Sequence, residues 1–172
     1  AAELGNIETL RVLIDAKCSV DEQNYKDDSP ISLAICYGNV AVLQMLVASN
    51  ADVNEPCRGP TTPLLRAISE SADTCIGILI NAKADINAAD RHGNTPLCHA
   101  AKHGKANIVT ILIEAKADVN NNHPVRSAVT STGIFRRRTD QSTSLKLLIS
   151  AKADIDKVYN RDGTTCGAVS VI

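Results

Sequence analysis

The apolar residues of this chain return at helical spacing in three separate stretches. Residues three and four apart share one face of a helix, so each stretch predicts an amphipathic helix. A polar Ala-Asp step follows each stretch, and Asp in such a position favours a turn, as at Asp85 and Asp118. The apolar positions are Val40, Leu43, Leu46, Val47, Ile76, Leu79, Ile80, Ile108, Ile111 and Leu112.

The Ala-Asp steps recur at a nearly fixed interval. The segments NADVN (50–54), KADIN (83–87) and KADVN (116–120) begin 33 residues apart, and KADID (152–156) follows after 36 residues. KCSVD (17–21) is a degenerate earlier copy. A fixed interval of this length predicts a repeat architecture, in which each repeat is one supersecondary unit.

A second motif runs in phase with the first. Ser29, Thr62 and Thr95 each precede Pro, and they are 33 residues apart. A hydroxyl caps a helix start, and Pro suits the first helical position because no N–H is needed there. The predicted unit is therefore a turn, a short helix, a turn, a longer helix and a loop.

This unit resembles the ankyrin repeat, and the resemblance covers essentially the whole chain. The clearest copy is DRHGNTPLCHAAKHGKANIVTILIEAKADVN, residues 90–120, with the family's Asp-x-x-Gly-x-Thr-Pro-Leu opening, Ala-Ala pair, helix-breaking Gly104 and closing Ala-Asp-Val-Asn. The resemblance implies an all-α solenoid of stacked helix-turn-helix units with projecting loops or β-hairpin fingers.

We expect a single domain over 1–172 with both ends inside a repeat, so that the array continued or met other domains in the native protein. An insertion at 131–142 lengthens the fifth unit, in which HPVRSA (123–128) takes the place of TPLCHA. The expected repeats are 1–22 (partial), 23–55, 56–88, 89–121, 122–156 and 157–172 (partial).

Two sets of residues depart from the family pattern. The family has His after Thr-Pro-Leu, tying neighbouring loops together, but this chain has Ser32, Leu65 and Cys98. The family also ends its second helix on a left-handed Gly. If the backbone keeps that conformation, each Lys there costs about 1 kcal/mol relative to Gly. The residues at those ends are Lys17, Asn50, Lys83, Lys116 and Lys152.

The resemblance implies protein binding on a concave face, through loop tips and exposed first-helix positions. Tyr and Arg are frequent interface anchors, and Tyr25, Tyr37, Arg58, Arg91 and His103 are the predicted hot spots. The alternative is that Tyr37 covers the core and Tyr25 is a solvated loop residue. The full predicted surface is Tyr25, Lys26, Asp28, Tyr37, Arg58, Thr61, Ser69, Glu70, Arg91, His92, Asn94, Lys102 and His103.

The insertion carries the chain's only Phe beside three arginines: Phe135, Arg136, Arg137 and Arg138. Arg binds carboxylate or phosphate in bidentate fashion, so one interpretation is a docking loop for an acidic or phosphorylated partner. Two alternatives remain open. The segment is a tolerated surface insertion, or Arg-Arg-Arg-Thr is a basophilic kinase site.

Composition narrows the function classes. Hydrophobic residues make up 44% of the chain and aromatics 2%, so the core is expected to be aliphatic. A net charge of -1 disfavours nucleic acid as a partner. No apolar run approaches the roughly 18 residues of a membrane span. Six cysteines without a CxxC pair favour a reducing, intracellular site, most simply the cytoplasm.

No enzyme motif is present, and neither a cofactor nor a metal is expected. His99 and His103 have the i, i+4 spacing of a metal-binding pair, but nothing in the sequence completes the ligand set. The predicted function is a protein-binding scaffold. The alternatives are a targeting or regulatory domain of a larger enzyme or channel, and a part of a structural assembly.

Overall fold

The structure of the chain, a computed structural model, describes residues 1–57, 59–130 and 139–152. It divides into two compact units, unit 1 (Ala1–His92) and unit 2 (Gly93–Ile172). The described residues form helices and turns, with one isolated antiparallel bridge between Cys57 and Thr61. The predicted all-α repeat fold is confirmed. In the described residues, the projecting loops between repeats consist of turns rather than β-hairpins. The helices of unit 1 are α1 (Ile7–Asp15), α2 (Pro30–Cys36), α3 (Val40–Ala48), α4 (Pro63–Glu70) and α5 (Asp73–Asn81); those of unit 2 are α6 (Pro96–Lys102), α7 (Ala106–Glu114), α8 (Pro124–Thr130) and α9 (Thr139–Ser150).

The short first helices begin where the Ser-Pro and Thr-Pro motifs predict. At α2 the hydroxyl of Ser29 accepts the backbone N–H of Ser32 at 3.2 Å. Thr62 and Thr95 make the equivalent bond at α4 and α6, each at 3.3 Å. Pro occupies the start of each of these helices, and α8 likewise begins at Pro124. The capping prediction is confirmed at all three hydroxyl residues.

The longer second helices end in left-handed backbone although no Gly stands there. At the end of α5, the N–H of Lys83 bonds to the carbonyl of Ile80 at 3.0 Å, and the N–H of Ala84 bonds to Leu79 at 2.9 Å. This is the Schellman pattern of a helix end. The left-handed backbone on which the estimate of about 1 kcal/mol for each Lys depends is therefore present. The φ values are 58° at Lys17, 60° at Asn50, 67° at Lys83, 69° at Lys116 and 63° at Lys152.

The core is aliphatic and follows the predicted periodicity. In unit 1, α2 packs on α3 and α4, and α5 packs on α3 and α4; in unit 2, α6 packs on α7, α8 and α9. Four of the predicted apolar positions are only half-buried: Val40, Val47, Ile80 and Ile111. The fully buried ones are Leu43, Leu46, Ile76, Leu79, Ile108 and Leu112.

The Asp residues of the Ala-Asp steps organise turns, as predicted. The carboxylate of Asp85 accepts the N–H of Asn87 at 2.9 Å in unit 1, and Asp118 accepts the N–H of Asn120 at 2.9 Å in unit 2. A side chain that bonds to the backbone two residues on holds a turn without any strand partner.

Side chains also join one loop of unit 1 to the next. Asp21 Oδ1 accepts the N–H of Asp52 at 2.9 Å, and Asn54 Oδ1 accepts the N–H of Asp85 at 2.7 Å. The partners in each bond are 31 residues apart, which is close to one repeat. Each bond therefore holds one loop of unit 1 beside the loop of the next repeat.

Candidate functional site

The loop before α2 presents Tyr25 at the tip of a tight turn. Asn24 Oδ1 accepts the N–H of Lys26 at 2.8 Å and that of Asp28 at 3.0 Å, and Asp27 has a φ of 59°. The Tyr25 side chain is 90% exposed, and the Lys26 ammonium lies 5.3 Å from its ring centroid. The turn therefore holds an aromatic ring in solvent at a defined place.

Asp28 differs from the other described residues of the predicted surface because it is buried, with only 4% exposed. It directly precedes Ser29, the buried N-cap of α2, and the turn draws both residues inward. Asp28 therefore lies beneath the loop and offers little surface to a partner.

Tyr37 lies at the C-terminal end of α2 and is 55% exposed. Its hydroxyl donates a hydrogen bond of 2.8 Å to Glu3 Oε1. This bond, together with the charge of Glu3, raises the pKa of Tyr37 above its usual value. Tyr37 therefore presents a ring face to solvent while its hydroxyl is held by the N-terminal segment.

Arg66 on α4 connects two first helices of unit 1. Its Nε donates to Cys36 Sγ at the end of α2 at 3.0 Å, and the same Nε lies 3.5 Å from Glu70 Oε1. The Arg66 side chain is 27% exposed. Sequence reasoning missed Arg66, although its position four residues before Glu70 on one helix was a usable signal.

The other predicted residues of this part of unit 1 differ in accessibility. Ser69 and Glu70 are exposed on the last turn of α4, and Ser69 Oγ donates to the carbonyl of Leu65 at 3.1 Å. Thr61 is half-buried, and its carbonyl accepts the N–H of Cys57 at 2.8 Å. Burial raises the pKa of the Cys57 thiol, which keeps this loop cysteine neutral.

Arg91 and His92 form an exposed loop tip near the end of unit 1. The N–H of His92 donates to Asp90 Oδ1 at 2.7 Å, and Arg91 Nε donates to His92 Nε2 at 3.2 Å. The tip is therefore shaped by its own side chains.

In unit 2 the predicted residues gather at α6. Lys102 and His103 are exposed at its end, whereas Asn94 before the helix is half-buried. The rings of His99 and His103 stack with centroids 6.4 Å apart and an interplanar angle of 18°. Among the residues that the structure describes, no group of three or more His, Cys, Asp or Glu is placed to hold a metal ion.

Cys98 occupies the position where the family has His, and it makes a loop contact of its own. Its Sγ donates to the carbonyl of Asn122 at 3.3 Å and accepts a bond of 3.3 Å from the Thr95 hydroxyl. In unit 1 the corresponding Ser32 instead donates to the carbonyl of Ser29 at 3.0 Å. A thiol can thus serve as the loop-linking donor that sequence reasoning left in doubt.

Several predicted site residues lie outside the described part of the chain: Arg58, Phe135, Arg136, Arg137 and Arg138. Of the insertion at 131–142, residues 139–142 form the first turn of α9. This part agrees with an insertion that extends a helix.

Unit 1 also contains a half-open cavity of about 210 Å³. Its lining is mainly apolar and includes Leu10, Leu13 and Leu33. Asp28 is the member of the predicted surface that lines it, so that surface is not arranged around this cavity. Within the described ranges, no helix is long and apolar enough to cross a membrane.

Comparison with known proteins places this geometry in a family. A family model described as "Ankyrin repeats (3 copies)" matches residues 56–123, and one described as "Ankyrin repeats (many copies)" matches residues 1–47. The crystal structure of an ankyrin repeat domain from Acinetobacter baumannii AYE matches with a TM-score of 0.85 at 23% identity, over 96% of this chain and 85% of that one. This likeness shows the fold alone. A search of curated protein sequences gave no match.

Proposed function

Because the chain belongs to the ankyrin repeat family, we propose that it binds partner proteins through the loop tips and exposed first-helix residues of its repeats. Ankyrin repeats are generally protein-interaction modules. The observation that supports this surface is the exposure of Tyr25 and Tyr37, 90% and 55%, in a chain with three tyrosines in all. Exposed aromatics are frequent binding anchors.

The proposed surface keeps the accessible residues of the predicted set. Asp28 is excluded because it is buried, and Thr61 and Asn94 are secondary because they are half-buried. Affinity should come from a few anchors rather than from the total contact area. The residues that remain are Tyr25, Lys26, Tyr37, Ser69, Glu70, Arg91 and His92 in unit 1, and Lys102 and His103 in unit 2.

The insertion is a second candidate surface, supported by sequence alone. Phe135 beside Arg136, Arg137 and Arg138 combines an apolar anchor with three cations that suit an acidic or phosphorylated partner. Nucleic acid is a poor candidate for the same residues, because the net charge of the chain is -1 and aromatic residues for base stacking are scarce.

We further propose that the chain has no catalytic role of its own and acts inside the cell. Ankyrin repeat proteins are typically interaction domains rather than enzymes. The same surfaces would serve a targeting or regulatory domain of a larger enzyme or channel, or a part of a structural assembly.

Partner capture from a lysate of the source cell tests the proposal, with bound proteins quantified by mass spectrometry. The native chain is compared with a Tyr25→Ser, Tyr37→Ser double variant and with a variant in which Phe135 and the three arginines become Ser. We expect the Tyr variant to lose at least one partner that binds the native chain in stoichiometric amounts.

Each result leads to a different conclusion. A partner lost only with the insertion variant would move the docking site to residues 135–138. Partners retained by both variants would contradict both proposed surfaces, provided that circular dichroism shows each variant to be folded. Catalytic turnover by the purified chain would refute the non-enzymatic part of the proposal.

A further inference from the structure

We propose that Arg66 is the anchor through which unit 1 binds the side-chain carboxylate of an Asp or Glu in a partner protein. This inference rests on the proposed function, and it names the chemistry that one part of the binding surface recognises. It is carried by the placement of the Arg66 guanidinium between two first helices, which the sequence does not reveal.

The Arg66 guanidinium is held in place before any partner arrives. Its Nε donates to Cys36 Sγ at 3.0 Å, so the side chain reaches from α4 to the end of α2. Glu70, one turn later on α4, lies 3.5 Å from the same Nε. A long side chain fixed at one nitrogen loses less rotamer freedom on binding than a free one.

The two terminal nitrogens of Arg66 remain available for binding. A guanidinium has five N–H donors in one plane, and Nε uses one of them. The four N–H groups on Nη1 and Nη2 make no hydrogen bond to any residue in the described part of the chain. Two parallel donors at this end match the two oxygens of a carboxylate.

The partial burial of Arg66 strengthens such a pair. The Arg66 side chain is 27% exposed, so a ligand can reach it while the protein shields part of the interaction from water and salt. The contact with Glu70 competes only weakly, because Glu70 is 46% exposed and its carboxylate lies 3.5 Å from Nε. Exposed pairs at i, i+4 contribute little.

Tyr37 is an exposed aromatic residue next to Cys36, which Arg66 contacts. It follows Cys36 directly in the chain and is 55% exposed at the end of α2. The charge of Arg66 and the ring of Tyr37 therefore suit a peptide segment that carries an acidic residue near an apolar one. Charge complementarity selects a carboxylate over an amide or a cation at Arg66.

Selection from a random 12-residue peptide library displayed on phage, carried out against the full chain, tests the inference. We expect enriched peptides to share Asp or Glu at one position. Affinity for the best peptide is then measured for Arg66→Lys, Cys36→Ala, Glu70→Gln and the matched control Arg11→Lys, an exposed arginine on α1.

The variants should rank in a definite order. Lys cannot make the two parallel bonds, so Arg66→Lys should weaken binding about tenfold. Cys36→Ala should weaken it by a smaller factor, because the charge stays but its position loosens. Glu70→Gln should tighten binding about twofold by removing a nearby negative charge. Arg11→Lys should leave the affinity unchanged.

The peptide provides a second test. Replacing its shared acidic residue by the corresponding amide should weaken binding by the same factor as Arg66→Lys, and the two losses should not add.

Three outcomes overturn the inference. These are enriched peptides that share no acidic position, an Arg66→Lys variant that binds as tightly as the native chain, and binding that depends on the peptide's terminal carboxylate instead of a side chain. In all three, peptide binding itself persists and the proposed function stands. If no peptide is enriched, the inference fails, because a single carboxylate anchor should select short acidic peptides, and partner capture from lysate decides the proposed function separately. Urea denaturation of Arg66→Lys, with an unchanged midpoint expected, shows that the readout concerns binding rather than folding.

Discussion

Helices α4 and α6 occupy the same position in successive repeats, and their polar faces differ. Both begin with a capping Thr followed by Pro, and both bury Leu at the next position. On the accessible side, α4 carries the Arg66–Glu70 pair, whereas α6 carries the stacked rings of His99 and His103.

Their C-terminal ends differ as well. Ser71 ends α4 in left-handed backbone with a φ of 59°, and the corresponding left-handed residue after α6 is Gly104, with a φ of 65°. The positions that build the repeat thus tolerate different residues at a modest energetic cost. The exposed positions of α4 and α6 instead carry side chains of different chemistry. Such positions are where one repeat can acquire a partner of its own.

The largest effect should come from positions that are equivalent in the two units. Leu79 of α5 and Leu112 of α7 are both fully buried. Replacing either by Ala should lower the free energy of unfolding by about 2–5 kcal/mol, through lost burial and a residual cavity. Urea denaturation measures both. A cost below about 1 kcal/mol for only one of them would show that the two units do not pack alike.

Loss of the capping hydroxyls should have a smaller effect. Thr62→Ala and Thr95→Ala should each lower the free energy of unfolding by about 1 kcal/mol. Thr95→Ala should cost more, because its hydroxyl also donates to Cys98 Sγ. Thermal denaturation can rank the two, with Thr62→Ser and Thr95→Ser as controls that keep the hydroxyl. Equal costs would mean that the contact with Cys98 contributes nothing.

A substitution at the end of α4 should make the chain more stable. Ser71→Gly gives α4 the same residue that follows α6, and it should raise the free energy of unfolding by about 0.5–1 kcal/mol by relieving left-handed strain. Ser69→Gly is the matched control, because Ser69 lies inside the same helix and Gly there should destabilise by a similar amount. Destabilisation by both changes would argue against strain at Ser71.

The smallest effect concerns pH and Tyr37. Its pKa is raised in the folded chain from the ordinary value of 10.0, mainly by its bond to Glu3. The unfolded chain therefore loses this proton first. The contribution of this hydrogen bond to the stability of the folded chain is fully present below pH 10. It is lost as the pH rises through the pKa that Tyr37 has in the folded chain.

Ultraviolet absorbance during alkaline titration can follow this tyrosine by difference from Tyr37→Phe. Glu3→Gln should return the pKa of Tyr37 towards its ordinary value. A titration that is unchanged by Glu3→Gln would show that the hydrogen bond does not set this pKa.

The sequence predicted those parts of the fold that depend on local chemistry. Ser29, Thr62 and Thr95 cap helices because their hydroxyls accept an N–H of the first turn and the Pro that follows each of them suits the first helical position. Lys83 has left-handed backbone because it stands at the position of the repeat where the second helix ends. Periodicity likewise identified Leu43 and Leu79 as core.

The parts that the sequence could not predict depend on contacts between repeats. Arg66 and Cys36 are 30 residues apart, and only the packing of α4 on α2 brings them together. Asp28 could not be recognised as buried, because a loop carboxylate carries no periodic signal. The thiol of Cys98 replaced an expected imidazole through a bond to the next loop.

The bonds from Asp21 to Asp52 and from Asn54 to Asp85 give unit 1 built-in reporters of separation between its loops. Each backbone amide hydrogen is held by a side chain from the preceding loop, so its exchange with deuterium requires that the two loops part. A pulling force applied along unit 1 would load both bonds together, because they join successive loops, and the weaker bond would break first. The loops should then separate in sequence, and the amides of Asp52 and Asp85 would record the order.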